Sequence, residues 1–110
     1  MRIDATKEGN AMVMSLKGRL DAAASSEFET KLADWISKGD NNFLLNFTDL
    51  EYISSAGLRS IIATSKKLIE SNGKMFLTGL RGPVEEVFKI SGFISIFRVF
   101  DTAEAALKEI

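Results

Sequence analysis

The chain has 110 residues, 45% of them hydrophobic and 26% charged, the balance of one globular domain with its own core over residues 1–110. Its formal net charge of −1 lacks any block of like charge, which argues against nucleic acid or an anionic membrane as partner. With no cysteine and no histidine, it has no disulfides, no thiolate catalysis, no cysteine-based metal site and no Ser-His-Asp arrangement.

The opening segment, "MRIDATKEGN", is charged and has no apolar core, so it does not read as a signal peptide. No apolar run approaches the roughly 20 residues that would cross a bilayer. These features predict a soluble, cytoplasmic domain without stable membrane insertion. Two short strands are expected around Glu8-Gly9-Asn10, with Met12, Met14 and Leu16 alternating against Val13, Ser15 and Lys17.

The period then changes. Phe28, Leu32, Trp35 and Ile36 make one apolar helical face between Asp21 and Lys38, with Asp21, Ser25 or Ser26 as the cap and Gly39 as the stop. "NFLLNF" fits a buried strand. Leu58, Ile61, Ile62, Leu68 and Ile69 predict a second helix that stops at Asn72-Gly73, and "KMFLTGL" predicts another strand. Pro83 suits the first turn of a third helix carrying Val84, Val87, Phe88 and Ser91 and ending at Gly92. "ISIFRVF" offers a last short strand or extended segment. Its apolar residues Phe93, Ile94, Ile96 and Phe97 are expected mainly as core, with a contact patch as the alternative. Asp101 and Glu104 have capping-box spacing before Ala106, Leu107 and Ile110. The order β-β-α-β-α-β-α-β-α predicts an α/β fold: a mixed sheet that opens with a hairpin, with helices packed on it.

The chemically informative stretch is "NFTDLEYISSAGLRSII", Asn46 to Ile62. Gly73-Lys74 lacks the preceding glycine and the following hydroxyl of a phosphate loop, and no G-x-G-x-x-G occurs, so no cofactor motif is present. Ser55 has Ile53 where a nucleophile elbow needs glycine, and it has no histidine base. The pair Glu85/Glu86 is expected to face water, and Asp49/Glu51 to serve a turn, with no metal site implied. Asp49 stands about where a response-regulator receiver carries its phosphoacceptor. The first strand offers only Asp4 as a companion acid, and the late segment supplies Arg98 in place of a lysine. Ser54 and Ser55 remain. One hydroxyl suffices to cap the helix, which leaves the other at the positive end of the helix dipole, where a phosphate is tolerated. Gly57, without a side chain, would let a partner approach closely.

At these residues the sequence resembles the STAS domain family, and within it the stand-alone bacterial anti-sigma factor antagonists. "GRLDAAASSEFETKL" is similar to the family's G-x-L-D segment. "NFLLNFTDLEYISSAGLRSII" is similar to its third strand and D-L-x-x-[IVM]-[DS]-S-[STA]-G-[LI] motif, and "GKMFLTGLRGPVEEVFKISGF" to the following strand, loop and helix. The resemblance implies a non-enzymatic regulator that, unphosphorylated, binds an anti-sigma factor serine kinase and frees the sigma factor. The kinase then phosphorylates Ser55, with Ser54, in place of the usual aspartate, as the helix cap or an alternate acceptor, and a serine phosphatase reverses the step. Asp21, Ser54, Ser55, Ala56, Gly57 and Leu58 would form the partner surface. Two other roles stay open: a STAS subunit of a lipid-transporting ABC complex, and a small nucleotide-binding domain with weak affinity at the same helix end.

Overall fold

Gly9 takes a positive φ of 59° and turns the chain between strand β1 (Arg2–Glu8) and strand β2 (Ala11–Leu20), in a computed structural model that describes residues 1–110. The two strands pair antiparallel, from Arg2 opposite Lys17 to Glu8 opposite Ala11. Helix α1 (Ala22–Ser37) then crosses to β3 (Asn42–Asn46), which lies parallel to β2. A short strand β4 (Leu50–Ile53) leads into helix α2 (Ser55–Glu70), and β5 (Lys74–Thr78) pairs parallel with β3. Helix α3 (Gly82–Ile90) and a single 3-10 turn (Phe93–Ile96) precede β6 (Arg98–Phe100), and α4 (Ala103–Leu107) closes the chain. The strands run β1-β2-β3-β5-β6 across the sheet, with β4 attached to the end of β2.

The alternation seen in the sequence sorts the strand residues onto two faces. Met12, Met14 and Leu16, with Phe43 and Leu45 of β3 and Leu77 of β5, join Phe28 and Leu32 of α1 in the main core. Helix α2 adds Leu58, Ile61, Ile62 and Leu68, and α3 adds Val84 and Phe88. Phe88 meets Phe47 and Phe97 edge-on at 5.7 and 6.0 Å between ring centroids, tying α3 to the turn after β3 and to the segment just before β6. The opposite face carries a smaller cluster in which Leu44 and Phe76 pack under Ala106 of α4. Beyond the reach of α4, that face is polar around the hairpin: Arg2 and Lys17 pair with Asp4 at 3.1 and 3.4 Å. The hydrogen bond from Arg2 and the two positive charges hold the Asp4 carboxyl below its usual pKa.

The expected architecture holds, with one strand more than the periodicity shows. β4 is four residues long; its ends, Leu50 and Ile53, are buried while Glu51 and Tyr52 face water. So short a segment, with polar residues in its middle, shows no period of two and reads as a turn. Three local expectations change. Ile69, expected on the apolar face of α2, is 62% exposed, because the helix rotates it about 100° away from Leu68, which holds the buried side of the last turn. Thr102, rather than Asp101, caps α4, accepting from the Ala105 amide at 3.1 Å. The apolar run near the end divides: Phe97 is buried and Ile94 half-buried, while Phe93 and Ile96 are exposed. Replacing Phe28, which is fully buried, with alanine should cost about 3–5 kcal/mol in urea denaturation. Ile69→Ser should stay within about 0.5 kcal/mol of the parent.

Candidate functional site

Strands β2 and β4 run parallel and finish together, Leu20 opposite Ile53. The next residues, Asp21 and Ser54, therefore leave neighbouring strands at the same end of the sheet, and each caps a helix. The Asp21 carboxylate accepts from the Ala24 amide at 3.0 Å, and the Ser25 hydroxyl donates to the Asp21 carbonyl at 2.7 Å. Of the three residues able to cap α1, Asp21 does so.

Ser54 does the same for α2. Its hydroxyl accepts from the Gly57 amide at 3.0 Å and donates to the Leu20 carbonyl at 3.3 Å, while its amide donates to that same carbonyl at 3.0 Å. The cap is thus bound on both sides and half-buried. Ser55, the first helical residue, is exposed, and its hydroxyl makes no hydrogen bond within the chain. The two adjacent serines are therefore unlike: one is a structural cap and the other is free.

The residues that follow are held inward. Ala56 is half-buried, and Gly57 and Leu58 are buried. A Cβ on Gly57 would stand 2.5 Å from the Leu20 carbonyl oxygen and 2.9 Å from the Leu20 Cγ. The space beside this glycine, expected to admit a partner, is filled by Leu20 and Ile53 of the same chain. Glycine is needed here so that α2 can lie against the end of β2.

The electrostatics favour an anion at Ser55. No acidic residue occupies the first turn of α2, so the positive end of its dipole keeps no carboxylate of its own. The first N–H groups of a helix have no intrahelical acceptor. α1 begins alongside, at the same sheet end, but its positive end is already met by the Asp21 carboxylate. Asp49, which a receiver-like reading would set among acids, is an exposed turn residue, and no three acidic side chains gather as a metal site would require. Arg81, across the neighbouring cleft, is engaged instead with the Thr48 carbonyl at 2.7 Å.

The family model of the STAS domain matches residues 2–106. The chain belongs to the STAS domain family. A Bordetella bronchiseptica protein named as an anti-sigma factor antagonist, BtrV, is 38% identical to this STAS chain over 106 residues, 96% of this chain and 91% of the other. Among solved structures, one titled as an anti-sigma factor antagonist from Thermotoga maritima superposes with a TM-score of 0.92 at 23% identity, covering 98% of this chain and 93% of that one. The Bacillus cell fate determinant SpoIIAA in its phosphorylated form gives a TM-score of 0.77 at 22% identity, covering 98% of both chains. These two likenesses establish the STAS fold. No helix in the chain is long and apolar enough to cross a membrane.

Sequence reasoning found both caps' residue types but not the acceptor that joins them. A backbone carbonyl leaves no mark in a sequence, and Leu20 reads only as the last apolar residue of a strand. Ser54→Ala should cost about 0.5–2 kcal/mol, and Gly57→Ala about 1–3 kcal/mol despite alanine's better helix propensity. Ser55→Ala should change stability by less than about 0.5 kcal/mol. Urea denaturation of the three variants measures the order, and equal losses at Ser54 and Ser55 would remove the distinction between them.

Proposed function

We propose that this STAS domain is an anti-sigma factor antagonist whose switch is Ser55. The observation that carries the reading is the unequal pair of serines, with Ser54 bound as a cap and Ser55 exposed and unbonded beside it. The BtrV likeness, at 38% identity over nearly the whole chain, supports the partner class, an anti-sigma factor. Unphosphorylated, the domain binds an anti-sigma factor that is also a serine kinase, and so frees the sigma factor.

In the modifying step the Ser55 hydroxyl oxygen attacks the γ-phosphorus of ATP. A bond from that oxygen to phosphorus forms, the bond to the β–γ bridging oxygen breaks, and ADP leaves with the electron pair. A base of the kinase takes the hydroxyl proton. A serine phosphatase reverses the state by hydrolysis. The chain supplies the acceptor and its position; the reaction belongs to the kinase.

Phosphorylation adds roughly −1.5 to −2 charges at neutral pH. A hundredfold loss of affinity needs only about 2.8 kcal/mol, within the effect of one uncompensated charge in an interface. The domain itself is spared, because Ser55 is already in water and the dipole of α2 favours an anion there by about 0.3–1 kcal/mol. Proteins of this fold exist in a phosphorylated form, as the SpoIIAA structure illustrates. Affinity is lost at the surface, without refolding.

Incubation with the anti-sigma kinase and ATP, followed by peptide mass spectrometry, should place phosphate on Ser55. Phosphate on Ser54, whose hydroxyl is committed to Leu20 and Gly57, or on neither serine, contradicts the assignment. Ser55→Asp should weaken kinase binding at least about tenfold, and Ser55→Ala should bind as the parent does. Titration calorimetry separates these outcomes, and equal affinities would sink the switch.

A further inference from the structure

The surface beside Ser55 is concave. A groove of about 460 Å³ runs between the first turns of α2 and the end of α3, with Ser55 itself on its wall. Leu58 and Val87 form its apolar base, and Ile90 and Phe93 stand at its edge. Ile90 is 81% exposed and Phe93 37%. Gly92, at φ 79°, turns the chain after α3 and sets Phe93 there. Elsewhere an exposed aromatic is shielded by its own chain: the Arg19 guanidinium lies 4.1 Å from the Tyr52 ring.

Arg59 also lines the groove. It is exposed and takes part in none of the chain's ion pairs. It follows Ser55 by four residues on α2, so the two side chains share one face of the helix, one turn apart.

On the reading that Ser55 is the modified residue, we propose that the anti-sigma kinase seats an apolar side chain flanked by a carboxylate in this groove, and that phosphate on Ser55 expels it by capturing Arg59. A kinase that brings ATP to the Ser55 hydroxyl must cover the surface around it, and the groove opens onto that hydroxyl. Ile90 and Phe93 gain most from being covered by apolar surface. Arg59 would be desolvated by the same contact, and an unpaired cation in an interface is costly, so the occupant must bring an anion. Once Ser55 carries phosphate, the guanidinium has a dianion one turn away, about 5–6 Å between Cβ atoms, within reach of charge-assisted hydrogen bonds. The carboxylate of the kinase then loses its partner and faces the phosphate.

Two measurements test this. In calorimetric titration with the anti-sigma kinase purified from the source organism, Ile90→Gln combined with Phe93→Ser should weaken binding at least about tenfold. Ile69→Gln, an exposed apolar position about 21 Å further along α2, should leave it unchanged. Both Ile90 and Phe93 are outside the core, and thermal melting checks that the variants are folded. In the second measurement, phosphoserine is installed at position 55 by genetic-code expansion and its phosphorus resonance is titrated. The phosphate should lose its last proton at lower pH in the parent than in Arg59→Gln, because the cation favours the dianion.

Unchanged kinase affinity in the Ile90/Phe93 variant, with phosphate still placed on Ser55, overturns the groove alone. Identical phosphate titrations overturn the capture by Arg59. Absence of phosphate on Ser55 of the parent withdraws the switch reading, and the groove assignment falls with it.

Discussion

The carbonyl oxygen of Leu20 joins the sheet to helix α2, and the candidate site depends on that junction. It receives the amide and the hydroxyl of Ser54, and it lies so close to Gly57 that no side chain fits between them. One acceptor thereby fixes where β4 ends, where α2 begins and how near α2 lies to β2. Buried backbone groups must find partners, and here a strand end and a helix start satisfy each other.

The junction also explains why two adjacent serines differ. Ser54 is drawn into the interior because its hydroxyl completes both the cap and the contact to Leu20. Ser55 enters the helix one residue later, and the helical rotation carries it outward. A change of charge at Ser55 therefore acts on whatever approaches from outside, while the bonds that hold the helix in place are one residue away and untouched. A regulatory residue can in this way sit against a rigid support without being part of it.

The main core shows the same division between support and surface. Strands β2, β3 and β5 bury alternate residues against α1, α2 and α3, and α4 covers only a small patch on the other face. Apolar side chains left outside this arrangement are few. Ile69 lies outside the buried arc of α2, and Ile96 and Val99 are exposed just before and within β6, whereas Ile90 and Phe93 line one groove with Ser55. Single exposed apolar residues are ordinary, and clustered ones mark contact surfaces.

Much of the molecule was legible in residue order. Met12, Met14 and Leu16 alternate, Phe28 and Leu32 recur at helical spacing, and Pro83 and Gly92 bracket α3; these patterns follow from the periods of strand and helix, which are local properties. The absence of histidine and cysteine excludes whole classes of chemistry whatever the fold. The "SSAG" turn showed that one serine caps a helix and another is left over, since a helix end needs one acceptor. β4 was invisible, because a four-residue strand draws its stability from pairing with β2 and not from its own pattern. The family resemblance already pointed to Ser55 as the acceptor and Ser54 as the cap. That the Ser54 hydroxyl is bound on both sides, why Gly57 must be glycine, and that Arg59, Ile90 and Phe93 gather beside Ser55 were decided only by tertiary structure. Those facts join residues as far apart as Leu20 and Ser54, or Ser55 and Phe93, and only the packed chain brings such pairs into contact.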